Sequence, residues 1–117
     1  MPVKEISTKS FESEVFESDQ PVLVDFYAPC CSPCRALIPV LEQLDAEFAG
    51  RVKIVKINVD KNRDCVGRFE LAKIPTLMMF SDNESKDTIW GMKTFPVLRQ
   101  KLDAWLESAT LVPEPAR

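Results

Sequence analysis

The chain has 117 residues, 45% of them hydrophobic and 28% charged, with a net charge of −3. That length makes one domain, large enough to bury a core without disulfide staples. The mild acidity argues against a general nucleic-acid binder or a protein drawn to anionic membranes, and no apolar run is long enough to span a bilayer.

The N-terminus, Met1-Pro2-Val3-Lys4-Glu5-Ile6, lacks the apolar core and cleavage site of a secretion signal, so a cytoplasmic protein is expected. Residues 3–6 read as a short edge strand. Ser7 or Thr8 caps a helix in which Phe11, Val15 and Phe16 recur at helical spacing. After the turn Asp19-Gln20-Pro21, residues 22–28 are apolar almost throughout, as in a strand buried on both faces. From 32 to 48 the period is helical, with Leu37, Val40, Leu41, Leu44 and Phe48 as the core stripe. Pro39 falls inside that stripe, and lacking an N–H it should kink the helix unless two helices meet near Ile38.

Gly50 stops this helix, and 52–59 reads as a second long strand. Residues 60–69 form a short polar-led helix, Ile74-Pro75-Thr76 opens a strand over 77–80, and 81–85 turn into a strand over 87–90. Phe95, Leu98, Leu102, Trp105 and Leu106 then mark an amphipathic terminal helix. Residues 1–108 are the domain. Residues 109–117, with Pro113 and Pro115, are a tail leaving it. This order implies an α/β protein whose sheet is parallel at first and closes with a hairpin.

Chemistry concentrates in Cys30-Cys31-Ser32-Pro33-Cys34, at the junction of a strand and a helix. Two thiols spaced C-x-x-C at such a junction form a dithiol–disulfide exchange arrangement. The first helical turn offers unpaired N–H groups and the positive end of the dipole, which stabilise a thiolate. The second cysteine lies one turn on, within reach of a mixed disulfide made by the first. Three of the four cysteines fall within five residues and cannot staple distant segments, so a reduced intracellular thiol protein fits better than a secreted framework.

Several segments together carry a resemblance: Val22-Leu23-Val24-Asp25-Phe26-Tyr27-Ala28, Cys31-Ser32-Pro33-Cys34-Arg35, Pro39, Lys56-Ile57-Asn58-Val59-Asp60 and Ile74-Pro75-Thr76. In this order and without long insertions, from residue 8 to 106, the chain resembles the thioredoxin family. The resemblance implies the thioredoxin fold, a central mixed β-sheet flanked by helices on both faces, and a protein-disulfide reductase with no bound cofactor. Its electrons would come from NADPH through a separate flavin-containing thioredoxin reductase. Its substrates would be proteins with disulfides, and a monomer is the expected state.

On this resemblance Cys31 is the nucleophile and Cys34 resolves the mixed disulfide. Asp25, whose burial should raise its pKa, is the base that takes a proton from Cys34, acting through water. Lys56 matches the family lysine that holds this carboxylate's pKa down, though an exposed strand lysine is the plainer reading. Pro75 matches a cis-proline that frees the backbone of Ile74 to pair with an extended substrate, with Thr76 beside it. Trp90 and Gly91 fall in another substrate-facing loop, and Ser32 and Pro33 lie between the thiols. Pro33 favours a reductase over related isomerases and oxidases, which carry His there.

Three positions depart from the family's pattern. Ser32 replaces the usual Gly, and its hydroxyl could bond to a neighbouring sulfur. Tyr27 replaces a common Trp, and Cys30 stands where Trp normally precedes the first active cysteine. Cys30 reads either as a passive small residue or as an oxidisable third thiol, which would make the protein a specialised redox relay or sensor. Cys65 reads as a buried filler. A metal site built from Cys30, Cys31 and Cys34 is weak, because the chain has no His and adjacent cysteines poorly fit one tetrahedral ion. A pure binding subunit is weaker still, since both exchange cysteines are present.

Overall fold

The computed structural model describes residues 3–111. In chain order it forms β1 (Lys4–Ile6), α1 (Thr8–Phe11) continuing as a π-helical turn (Glu12–Phe16), β2 (Val22–Tyr27), α2 (Ser32–Glu47) and β3 (Lys53–Asn58). Then come α3 (Asp64–Arg68), β4 (Thr76–Ser81), β5 (Glu84–Trp90) and α4 (Phe95–Leu111). The five strands lie in the order β1-β3-β2-β4-β5. The pairs β1–β3 and β2–β3 are parallel, whereas β2–β4 and β4–β5 are antiparallel. This is the mixed sheet expected, with β1 at an edge and a hairpin at the other.

Period-two alternation splits the buried side chains between two faces. Leu23, Ile54, Leu77 and Met79 meet Leu37, Leu41 and Leu44 of α2 and Leu98 and Leu102 of α4. On the other face Val24, Phe26, Val55 and Ile57 meet Phe11 and Val15 of the first helix and Cys65 of α3. Cys65 is thus the buried filler expected.

The helical stripe of α2 is continuous. Leu37, Leu41, Leu44 and Phe48 are all buried, and the helix runs unbroken through Pro39. Within it Pro39 withholds the N–H that would have reached the Arg35 carbonyl four residues back. Two helices meeting near Ile38 is therefore not how the chain folds.

Elsewhere the boundaries move for local reasons. The first helix widens because Glu17 N–H reaches the Glu12 carbonyl, five residues back, at 2.9 Å. This wider turn places Phe16 beside Phe11, with ring centroids 5.5 Å apart. The third helix begins at Asp64 rather than at 60, since Asn58 Oδ1 accepts from the N–H groups of Asp60 and Lys61 and holds them in a turn. Strand β5 begins at Glu84 rather than at 87, because Asp82 and Asn83 both take positive φ (54° and 68°) and close the hairpin in two residues. The terminal helix continues to Leu111, past the boundary drawn at 108, and the tail with Pro113 and Pro115 lies outside the described residues.

The second core is an aromatic cluster. Phe11, 1% exposed, contacts the rings of Phe16, Phe26, Phe69 and Phe80. Arg68 caps it, its guanidinium 5.0–5.5 Å from the Phe11, Phe16 and Phe69 centroids and 2.8 Å from Glu12. Phe11→Ala should therefore lower unfolding stability by about 3–5 kcal/mol, read from the urea midpoint. A loss below about 1 kcal/mol would mean that the cluster closes over the gap.

Candidate active site

Strand β2 ends at Tyr27 and delivers the chain into a tight turn, closed by Cys31 N–H donating to the Ala28 carbonyl at 3.1 Å. Cys31 becomes the N-cap of α2, with extended backbone (φ −83°, ψ 114°), and Ser32 and Pro33 fill the first helical positions. Pro at this place lacks only an N–H that a helix start leaves unpaired. The Cys31 Sγ accepts from Cys34 N–H at 3.2 Å, the role a Ser or Asp oxygen plays in an ordinary N-cap. No acidic residue sits in this first turn to oppose negative charge on sulfur. All four cysteines are free thiols.

The two thiols differ sharply in access. Cys31 is half-buried, whereas Cys34 is 2% exposed. Burial, and next its hydrogen bond with Cys31, push the Cys34 thiol up to about 12. The nearby charge of Asp25 acts in the same direction. Cys34 therefore stays protonated until something removes its proton.

Asp25 lies on β2, 1% exposed, on the face packed by α2. Among the described residues its Oδ1 has no hydrogen-bond partner. Burial disfavours the charged form and raises the carboxyl to about 7, with the positive charge of Lys56 pulling the other way. Lys56 is directly across from Asp25 in the β2–β3 register and is half-buried. It therefore stands cross-strand from Asp25 on the same sheet face.

The Ile74–Pro75 peptide is cis. It turns the Ile74 carbonyl toward the site, where the Cys31 thiol donates to it at 3.8 Å. Pro75 and Thr76 are buried, and the Thr76 hydroxyl donates to the Lys73 carbonyl, so Thr76 shapes this loop from within. Gly91 takes φ +80°, and its N–H donates to the Pro75 carbonyl at 2.9 Å, joining the second loop to the first. Trp90 is 39% exposed, one of the few large apolar side chains open to solvent. Lys93 Nζ holds its carbonyl at 2.7 Å.

Ser32 does not bond to sulfur. Its hydroxyl accepts from Arg35 Nη2 at 3.2 Å, while Arg35 Nη1 donates to the Pro29 carbonyl at 2.8 Å. Arg35 thus bridges both ends of the loop that carries Cys30 and Cys31. Its spacing, three residues after Ser32 on the first turn, is the one available signal for it in the chain. Cys30 is exposed rather than packed, so it is not a buried small residue. Among the described residues no group of three or more His, Cys, Asp and Glu could hold a metal ion. Nor, among them, is any helix long and apolar enough to cross a membrane.

A thiol capping a helix, a buried partner thiol one turn on, a buried carboxyl and a cis-proline loop define a dithiol–disulfide oxidoreductase. Comparison with known proteins agrees. The thioredoxin family model matches residues 2–104. Thioredoxin of Rickettsia bellii is 45% identical over 87 residues, covering 74% of this chain and 83% of its own length. Thioredoxin 1 of Synechococcus elongatus is 40% identical over 101 residues, covering 86% and 94%. Thioredoxin 1 of a Nostoc species is 37% identical over 102 residues, covering 87% and 95%. The chain belongs to the thioredoxin family and is a thioredoxin-like protein-disulfide reductase, a class that needs no bound cofactor.

The raised Asp25 carboxyl has a stability consequence. An unfolded carboxyl ionises near 3.8 and this one near 7, so between those values the folded protein keeps a proton that the unfolded chain has lost. Stability therefore falls as pH rises through that window. Asp25→Asn removes the burial of this charge, and at pH 8 the variant should be the more stable by up to about 4 kcal/mol. At pH 4 the two proteins should be close. Urea unfolding at both values checks it, and a variant less stable at pH 8 would contradict it.

Proposed function

We propose that Cys31 is the attacking thiol and Cys34 the resolving thiol of a cycle that reduces protein disulfides. The Cys31 thiolate attacks one sulfur of the substrate disulfide. That S–S bond breaks, one substrate sulfur leaves as thiolate, and the other stays joined to Cys31. Asp25 takes the proton from Cys34. The Cys34 thiolate then attacks Cys31 Sγ, expels the second substrate thiol and leaves a Cys31–Cys34 disulfide. The substrate gains two electrons and the pair loses them.

The observation that carries this reading is the asymmetry of the pair. The accessible Cys31 sulfur sits at the helix start and accepts Cys34 N–H, while Cys34 is shut behind it on the side of Asp25. Lys56 biases the carboxylate toward its charged form. An extended substrate segment would pair with the backbone at Ile74 beside Pro75 and Thr76, and lie against Trp90, Gly91, Ser32 and Pro33. A separate flavin-containing thioredoxin reductase, drawing on NADPH, would restore the dithiol. The protein would work as a monomer in the cytoplasm.

A second reading gives Cys30 a part as a third redox thiol, and its exposure favours that. It does not pair with Cys31 in this geometry. Adjacent Cα atoms across a trans peptide stand about 3.8 Å apart, short of the roughly 4.4–6.8 Å that a disulfide spans.

Single-turnover reduction of a disulfide substrate tests the cycle. Cys34→Ser should accumulate a mixed disulfide on Cys31, visible by mass, and Cys31→Ser should form none. Asp25→Asn should still form the mixed disulfide but resolve it more slowly, by about 10²-fold at neutral pH. An adduct on Cys34, or resolution at the normal rate in Asp25→Asn, would contradict the assignment.

A further inference from the structure

Glu5, Lys56, Asp25, Leu77 and Ile89 stand in register across β1, β3, β2, β4 and β5. Residues paired in this way project to the same side of a sheet, here the side covered by α2 and α4. Three charged side chains therefore lie in a row, passing from the exposed Glu5 through the half-buried Lys56 to the buried Asp25. Neighbouring opposite charges ordinarily pair across strands. Glu5 and Lys56 do not; no ion pair joins them. Instead Glu5 Oε2 accepts from the Tyr27 hydroxyl at 2.7 Å. Lys56 Nζ lies 5.7 Å from the centroid of the same Tyr27 ring. Tyr27 is two residues along β2 from Asp25, and so on its face.

We propose that Tyr27 is a positioning residue for the buried carboxylate: its ring seats the Lys56 ammonium beside Asp25, and its hydroxyl holds Glu5 out of an ion pair with that ammonium. The other groups facing Asp25 are few. Lys56 comes from β3 and the Cys34 thiol from α2, while β4 contributes the uncharged Leu77 and α4 packs this face with Leu98 and Leu102. Among the described residues Lys56 is thus the cation available to Asp25, and whatever neutralises it makes Asp25 harder to ionise. Burial, and next the bond to Glu5, push the Tyr27 phenol above its ordinary range, so it remains a hydroxyl donor throughout neutral pH. The effect on turnover rests on Asp25 being the proton acceptor. The effect on Asp25 itself does not.

The test reads the Asp25 carboxyl carbon by NMR across pH, in the reduced full-length protein. Tyr27→Phe keeps the ring but frees Glu5 to pair with Lys56, and the Asp25 midpoint should rise by about 1 pH unit, the low end of what a neighbouring charge does. Glu5→Asp, which keeps the charge but shortens it away from the hydroxyl, should raise the midpoint likewise and serves if Tyr27→Phe does not fold. Glu5→Gln should not raise it, and Tyr27→Phe with Glu5→Gln should return to the Glu5→Gln value. An unmoved midpoint in Tyr27→Phe, or a rise that persists in the double variant, overturns the proposal. Should Asp25→Asn resolve its mixed disulfide at the normal rate, the proton-acceptor role fails, while the carboxyl titration still judges Tyr27.

Discussion

The site depends on one hydrogen bond, the 3.2 Å contact in which Cys34 N–H donates to Cys31 Sγ. It makes a sulfur the cap of α2, so the end of the helix with unpaired donors and positive dipole faces the reacting atom. Everything around it keeps that sulfur in place. Strand β2 is buried along its length and fixes where the loop begins. The Ala28 carbonyl takes Cys31 N–H, Arg35 ties Pro29 to Ser32, and the Ile74 carbonyl meets the thiol from the opposite loop. The same bond therefore both starts the helix and fixes the position of the sulfur.

Behind the cap the fold accepts a cost. A carboxyl with an oxygen unpartnered among the described residues stands between Leu23 and Tyr27 on the strand face packed by α2. A hydrophobic residue there would give a more stable protein at neutral pH. The carboxyl instead stands with its pKa raised to about 7, near a thiol whose own pKa burial raises. On the role proposed for Asp25, stability is lower where the proton moves, a familiar trade at reacting sites. The aromatic cluster on the other face, sealed by Arg68, and the α2–α4 core supply the packing that tolerates it.

Much of this was legible in the chain because the signals are local. The apolar run into β2, the thiol spacing, the Leu37-Leu41-Leu44 stripe and the final amphipathic helix each follow from residues close in sequence. The cis bond at Pro75 came from resemblance, since Ile-Pro alone favours trans. What the chain did not disclose depends on partners far apart. Nothing near Glu5 says that its carboxylate meets a tyrosine 22 residues on, because that contact needs the β1–β3–β2 register. The direction of the Ser32 hydroxyl was unreadable for a related reason, since it could donate to a sulfur or accept from a cation, and it accepts from the Arg35 guanidinium. The π-turn in the first helix escaped because Phe11, Val15 and Phe16 fit an α-helical stripe equally well.

Cys30 separates a two-thiol reductase from a three-thiol device, and one measurement decides between them most directly. The protein is equilibrated in dithiol buffers of stepped potential, remaining thiols are alkylated, and each cysteine is mapped by mass. The account predicts that Cys31 and Cys34 oxidise together, near the roughly −270 mV of thioredoxin, while Cys30 and Cys65 stay reduced. Oxidation of Cys30 in step with Cys31, or of Cys31 without Cys34, would contradict it.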